Sequence, residues 1–137
     1  MNLPDHSLRT EVHLPDEPGD ARLVIVGELD GEETVGLHDA VSRTLRHPAT
    51  RAVHVDAGDL IFLDSSGIRS LLAARRRAAE AGVELSIVAV SPIVYQILQI
   101  TGLLPILGVG AGTVVRQPAA RGSDRAAQTT LPPSVGR

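Results

Sequence analysis

The sequence contains no cysteine, no tryptophan and no lysine; all 13 of its cationic residues are arginine. Without cysteine there is no disulfide, no thiol nucleophile and no thiolate metal site, a composition that suits a reducing compartment. Without lysine, Schiff-base chemistry and the P-loop lysine are excluded. Aromatic side chains are almost missing as well, Phe62 and Tyr95 being the only ones. Nucleic-acid binding prefers a basic stripe interleaved with stacking aromatics, so direct nucleic-acid binding is not expected. No apolar run approaches the ~20 residues needed to cross a bilayer. The segment Met1 to Asp20 carries acids and prolines in place of a signal peptide's apolar region. The expectation is a cytoplasmic protein without a membrane span.

What the sequence does contain is enough apolar residue for one core: 137 residues, 43% of them hydrophobic, a size that buries a single compact domain. The formal net charge of −3 hides an asymmetry, since residues 1–64 carry 13 acids against 5 arginines and residues 65–137 carry 3 acids against 8 arginines.

Leu8, Thr10, Val12 and Leu14 share one parity and predict a first strand, closed by the turn-rich run Pro15 to Asp20. Leu23 to Val26 is a continuous apolar run ending at Gly27, the pattern of a central strand buried on both faces. From Glu32 to Arg46, Leu37, Ala40, Val41 and Leu45 recur at helical spacing, with Glu32 and Glu33 in the first turn, where the helix dipole favours them. A further buried strand is predicted at Ala52 to Val55, followed by a loop at Ala57-Gly58-Asp59. The helix after Gly67 shows Ile68, Leu71, Leu72 and Ala79 on one face and ends at Gly82. Val83 to Val90 is the next strand. Ser91-Pro92 supplies an N-cap and a first-turn proline for a helix with Ile93, Val94, Ile97 and Leu98 on its apolar stripe. A short strand around Leu104 to Leu107 would complete the sheet. The order β, β, α, β, α, β, α, β predicts an α/β fold whose sheet is mostly parallel, with an antiparallel N-terminal strand. One domain is expected over residues 1–116, with its core at about 8–107, and a disordered tail over residues 117–137.

The segment Asp64-Ser65-Ser66-Gly67 joins an apolar strand to a helix. Asp and Ser there satisfy backbone N–H groups that a helix leaves unpaired, so an N-cap accounts for the tetrapeptide by itself. In open α/β sheets the same junctions gather at the carboxyl edge, where functional sites form. Asp30 follows the preceding parallel strand and should share that edge with Ser65, and Asp59, Glu28 and Asp56 would make it acidic. A phosphate on Ser65 would add about −1.5 to −2 charges at a helix N-terminus, where the fold tolerates it and a docked partner would not.

The run from Val53 to Ile68, containing Phe62-Leu63-Asp64-Ser65-Ser66-Gly67, resembles the signature of STAS domains, in particular those of bacterial anti-sigma factor antagonists. Gly27-Glu28-Leu29-Asp30, Gly82, Ser91-Pro92 and Thr101-Gly102-Leu103 agree with it in order, and the likeness extends over roughly Leu8 to Leu107. The resemblance implies a STAS fold of four or five strands packed with three or four helices, and a binding protein, not an enzyme. It implies that Ser65 is phosphorylated by an anti-sigma factor serine kinase with a histidine-kinase-like ATPase fold. The unphosphorylated antagonist would bind that kinase and free a sigma factor, and a PP2C-type phosphatase would reset it. Asp30 matches an aspartate that the family uses in partner contact, and Asp64, Ser66 and Gly67 complete the partner-binding surface. Family members often continue Leu-Gly where this chain has Ile68-Arg69, which puts a long cation within a turn of Ser65; Arg69 is therefore expected among the partner-binding residues, where it would alter the choice of kinase or pair with the phosphate. The family's closing helix has no clear counterpart in the glycine-rich Gly108 to Gly112, and Thr113 to Arg116 offers only a short helical or extended segment.

Other features carry less. Arg75-Arg76-Arg77 reads as a solvated helix face in preference to an acid-binding patch. His6, His13, His38, His47 and His54 show no metal-binding spacing, so no metal is expected. No Gly-x-Ser-x-Gly elbow surrounds Ser65, and no phosphate-cradling glycine loop follows a strand, so neither hydrolase chemistry nor a nucleotide or other cofactor is expected. The competing functional reading is an unregulated STAS interaction subunit of a signalling or lipid-transport assembly.

Overall fold

Alternation organises the first two strands of the computed structural model, which describes residues 7–117. In β1 (Arg9–His13) Thr10 and Val12 turn inward, and β1 pairs antiparallel with β2 (Gly19–Leu29), Val12 facing Leu23. A 3-10 turn (Gly31–Glu33) leads into α1 (Thr34–Arg46). Then come β3 (Thr50–Leu63), α2 (Ser65–Glu80), β4 (Glu84–Val90), α3 (Pro92–Ile100) and β5 (Val114–Val115). The strands lie in the order β1-β2-β3-β4-β5, with every pair after the first parallel. This is the α/β fold with a mostly parallel sheet and an antiparallel first strand that the sequence predicts. Of the tail expected over residues 117–137, all but Gln117 lies outside the described residues.

The core is apolar and lies under one face of the sheet. Ala21, Leu23, Ile25 and Leu29 of β2 join Val53 and Val55 of β3, Leu85 and Ile87 of β4, and Leu37, Ala40 and Val41 of α1. The other face differs from the expectation of strands buried on both sides. There β2 presents Asp20, Arg22 and half-buried Val24, and β3 presents His54, whose Nε2 lies 2.8 Å from Asp20 Oδ2.

The loop predicted at Ala57-Gly58-Asp59 is instead the middle of a 14-residue strand. Val24 pairs with Asp56 and Val26 with Asp59, so β3 carries one residue more than β2 across this stretch and bulges. Asp56 holds the bulge from inside: its Oδ1 accepts from Gly58 N at 2.9 Å, while Arg22 (2.5 Å) and Arg116 (3.2 Å) neutralise the carboxylate. Asp56 is therefore no part of an acidic rim; it is 4% exposed. Asp59 sits in the strand body with Arg116 Nη2 3.8 Å from its Oδ2. The Arg116 guanidinium occupies the space that a side chain at Gly58 would need.

The strand predicted at Leu104 to Leu107 is a run of turns. Pro105 has no N–H for a ladder, and local bonds from Leu107 N to Leu103 O (3.0 Å) and Val109 N to Leu104 O (2.8 Å) coil the segment so that Leu107 and Val109 enter the core. The fifth strand forms later, at Val114–Val115, fixed by Thr113 Oγ1 donating to Ile87 O (2.7 Å) and Arg116 N to Val90 O (2.9 Å).

Helix faces shift slightly from the predicted stripes. α2 buries Gly67, Leu71, Ala74 and Ala78, leaves Ile68 and Leu72 half-buried and exposes Ala79. α3 buries Val94 and Leu98 and exposes Ile93. The arginine run is only partly solvated. Arg75 donates to the Leu85 and Ile106 carbonyls, and Arg77 donates to His38 O (3.5 Å) and Ser42 Oγ (2.5 Å) of α1, while Arg76 is exposed.

Two glycines on helices predict opposite outcomes for one substitution. A Cβ at Gly67 would lie 2.2 Å from the Leu29 carbonyl oxygen and 2.8 Å from Leu63 Cδ1, whereas at exposed Gly36 its nearest neighbour is Leu8 Cδ2 at 3.7 Å. In urea unfolding, Gly67→Ala should lose about 2–3 kcal/mol through forced separation of packed backbone, and Gly36→Ala should gain about 0.5–1 kcal/mol through helix propensity.

Candidate functional site

The site grows from two neighbouring strand ends. Leu29 of β2 and Leu63 of β3 are register partners, so Asp30 and Asp64 leave adjacent strands at the same carboxyl edge. Asp64 N donates to Leu29 O at 3.4 Å, and Gly67 lets the first turn of α2 press on that same carbonyl. The 3-10 turn that starts after Asp30 packs on α2. Asp30 and Ser65 thus share one rim, as the sequence predicts.

The two aspartates serve this rim differently. Asp64 is the N-cap of α2, its Oδ1 accepting from Gly67 N at 2.8 Å. Asp30 occupies the cap position of the 3-10 turn but makes no side-chain cap hydrogen bond; its backbone carbonyl accepts from Glu33 N at 2.7 Å. Its half-buried carboxylate is not used by that turn.

Ser65 is the first residue of α2 and is exposed; Ser66 is half-buried. Among the described residues no hydrogen bond engages the Ser65 hydroxyl, because Asp64 already caps the helix. Ser91 shows the contrasting case of a serine used by the fold. It is fully buried, caps α3 through Val94 N (3.3 Å) and donates to Leu60 O at 2.6 Å. Glu28 pairs in register with Phe62 close to the rim, and Arg69 is exposed one turn along α2 from Ser65. The described histidines are engaged elsewhere: His47 bonds to Pro15 O, His54 to Asp20 and His13 to Glu11, and His38 Nδ1 lies 3.7 Å from Asp39 Oδ1.

The sequence reading missed the apolar part of this end of the molecule. Ile61 and Phe62, just before the buried last residue of β3, Leu63, are 38% and 43% exposed, and Val35 in the first turn of α1 is 61% exposed. An apolar run such as Leu60 to Leu63 reads as buried strand. The outward turn of Ile61 and Phe62 follows because β3 runs on beyond its last pairing with β4, at Ala57 and Val90. The rim therefore combines acids, an uncommitted hydroxyl and exposed apolar surface, the composition of a protein-docking surface.

Because Asp64 and not Ser65 caps α2, Asp64→Ala should lower stability by about 1 kcal/mol, and Ser65→Ala should stay within about 0.5 kcal/mol of wild type. Thermal or urea unfolding of the two variants measures the difference.

Comparison with known proteins places this geometry. The family model described as Mlab, STAS domain matches residues 12–108. The crystal structure of an anti-sigma factor antagonist from Mycobacterium paratuberculosis superimposes with a TM-score of 0.64 at 23% identity, covering 76% of this chain and 86% of that one. The anti-sigma factor antagonist SpoIIAA in its unphosphorylated form gives 0.59 at 22% identity, with 71% and 84% covered. The phosphorylated form of SpoIIAA, a Bacillus cell fate determinant, gives 0.54 at 21% identity, with 71% and 86% covered. The chain belongs to the STAS domain family, and its fold is that of the anti-sigma factor antagonists.

Proposed function

We propose that this protein is an anti-sigma factor antagonist, a protein-binding switch controlled by phosphorylation of Ser65. The observation that carries the reading is the exposed Ser65 hydroxyl, placed at the start of α2 beside Asp30 and left out of the cap by Asp64. A hydroxyl that the fold does not use is open to a kinase, and a phosphate there meets a helix N-terminus that accommodates its charge. A partner seated over Asp30, Phe62 and Ser65 would be repelled by the same charge. In this account the unphosphorylated chain sequesters an anti-sigma factor serine kinase of the histidine-kinase-like ATPase fold and so releases a sigma factor. A PP2C-type phosphatase restores the binding form. Ser65 is a substrate here, not a nucleophile, and the chain supplies a surface with no catalytic group or cofactor. The switch works in the cytoplasm; among the described residues no helix is long and apolar enough to cross a membrane.

The family model's description, Mlab, STAS domain, favours a second reading, a constitutive STAS interaction subunit of a signalling or lipid-transport assembly. In it Ser65 would be no more than a surface residue of the first helical turn.

Affinity capture from native lysate with wild-type, Ser65→Ala and Ser65→Asp baits separates the two. The switch predicts an ATPase-fold kinase on the Ala bait, reduced at least tenfold on the Asp bait, with the melting temperatures of both variants near wild type. Equal recovery of one assembly on all three baits would establish the constitutive subunit.

A further inference from the structure

Ser65 and Arg69 stand four positions apart on α2, and both are exposed. At that spacing on a helix, Cβ atoms are about 5–6 Å apart. Long helical side chains lean back toward the N-terminus, which carries the Arg69 guanidinium toward Ser65. An anion four residues ahead of its cation is also the favourable order for a helical ion pair. The structure leaves this cation uncommitted. Arg22 and Arg116 are engaged by Asp56, and Arg75 and Arg77 by groups on other elements. Among the described residues no hydrogen bond or ion pair engages Arg69. The neighbouring acids are placed otherwise: Asp64 holds Gly67 N, and Glu33 Oε1 accepts from Leu8 N at 3.0 Å.

Resting on the switch reading above, we propose that Arg69 is the internal counter-ion of phosphorylated Ser65. Its planar fork donates two hydrogen bonds to phosphate oxygens, a geometry that a glycine at this position cannot supply. In the unphosphorylated chain Arg69 is a free cation on the rim, open to an acidic side chain of the partner. Phosphorylation adds about −1.5 to −2 charges and at the same time draws this cation into the chain. The rim presented to a partner thus changes twice in one event, by the anion gained and the cation withdrawn.

Full-length protein carrying phosphoserine installed at position 65 during translation tests the pair without any kinase. Its success or failure is therefore separate from whether cells phosphorylate Ser65. The probe is the 31P resonance of that phosphate, titrated through its second ionisation near pH ~6. The acids nearest in the fold are Asp64, the cap of α2 itself, and Asp30, Glu32 and Glu33 of the 3-10 turn and its cap, with Glu33 Oε1 accepting from Leu8 N; all are unchanged in every variant. Arg69→Gln should raise the midpoint by about 0.2–0.4 pH units, the value of one helical ion pair. Arg76→Gln, an exposed arginine farther along the same helix, should leave it unchanged. Identical midpoints for wild type and Arg69→Gln, or equal shifts in both variants, would overturn the pairing.

Discussion

Helix α2 meets the sheet through a contact that tolerates no side chain. Gly67 rests on the carbonyl of Leu29, and the same carbonyl accepts the N–H of Asp64. This close approach brings the end of β2 and the start of α2 together, and with them Asp30 and Ser65. It also fixes the rotation of the helix, because burying Gly67 turns Leu71, Ala74 and Ala78 inward and leaves Ser65, two positions before it, facing solvent. Asp64 then completes the turn as cap, so the strand end, the helix start and the exposed hydroxyl follow from one another.

A second constraint closes the far side of the sheet. Asp56 is a buried acid, and an unpaired carboxylate there would be costly. Arg22 comes from the neighbouring strand and Arg116 from beyond β5, so one side chain joins the second, third and fifth strands. The bulge it stabilises lets β3 run on past β4 to the rim, where Phe62 is exposed next to the Asp64-Ser65 step.

Much of this was legible in the sequence where the signal is local. Alternation marked β1, periodicity marked α1, and Ser91-Pro92 marked the start of α3. The Asp64 to Gly67 step was readable because capping chemistry needs only adjacent residues. The family resemblance carried the functional meaning of Ser65 and Asp30, since the tetrapeptide by itself is accounted for by a cap. Long-range contacts explain what was missed. The loop assigned to Ala57-Gly58-Asp59 is strand because Ala57 pairs with Val90 of β4 and Asp59 with Val26 of β2, partners far away in sequence, while Arg116 fills the space beside Gly58. Leu104 to Leu107 looked like strand because a short apolar run does not distinguish strand from buried coil. The stripe on α2 was misplaced because glycine adds little to a hydrophobic pattern, yet Gly67 governs which face is buried.

The central claim is that Ser65, and not its neighbour Ser66, is the regulated hydroxyl of this rim. Site-resolved mass spectrometry of the protein isolated from its native cells, across growth and stress conditions, measures phosphate occupancy at each residue. The account predicts phosphate on Ser65 that rises and falls with condition while Ser66 stays unmodified. Phosphate confined to Ser66 or to other residues, or none on Ser65 under every condition, would contradict it.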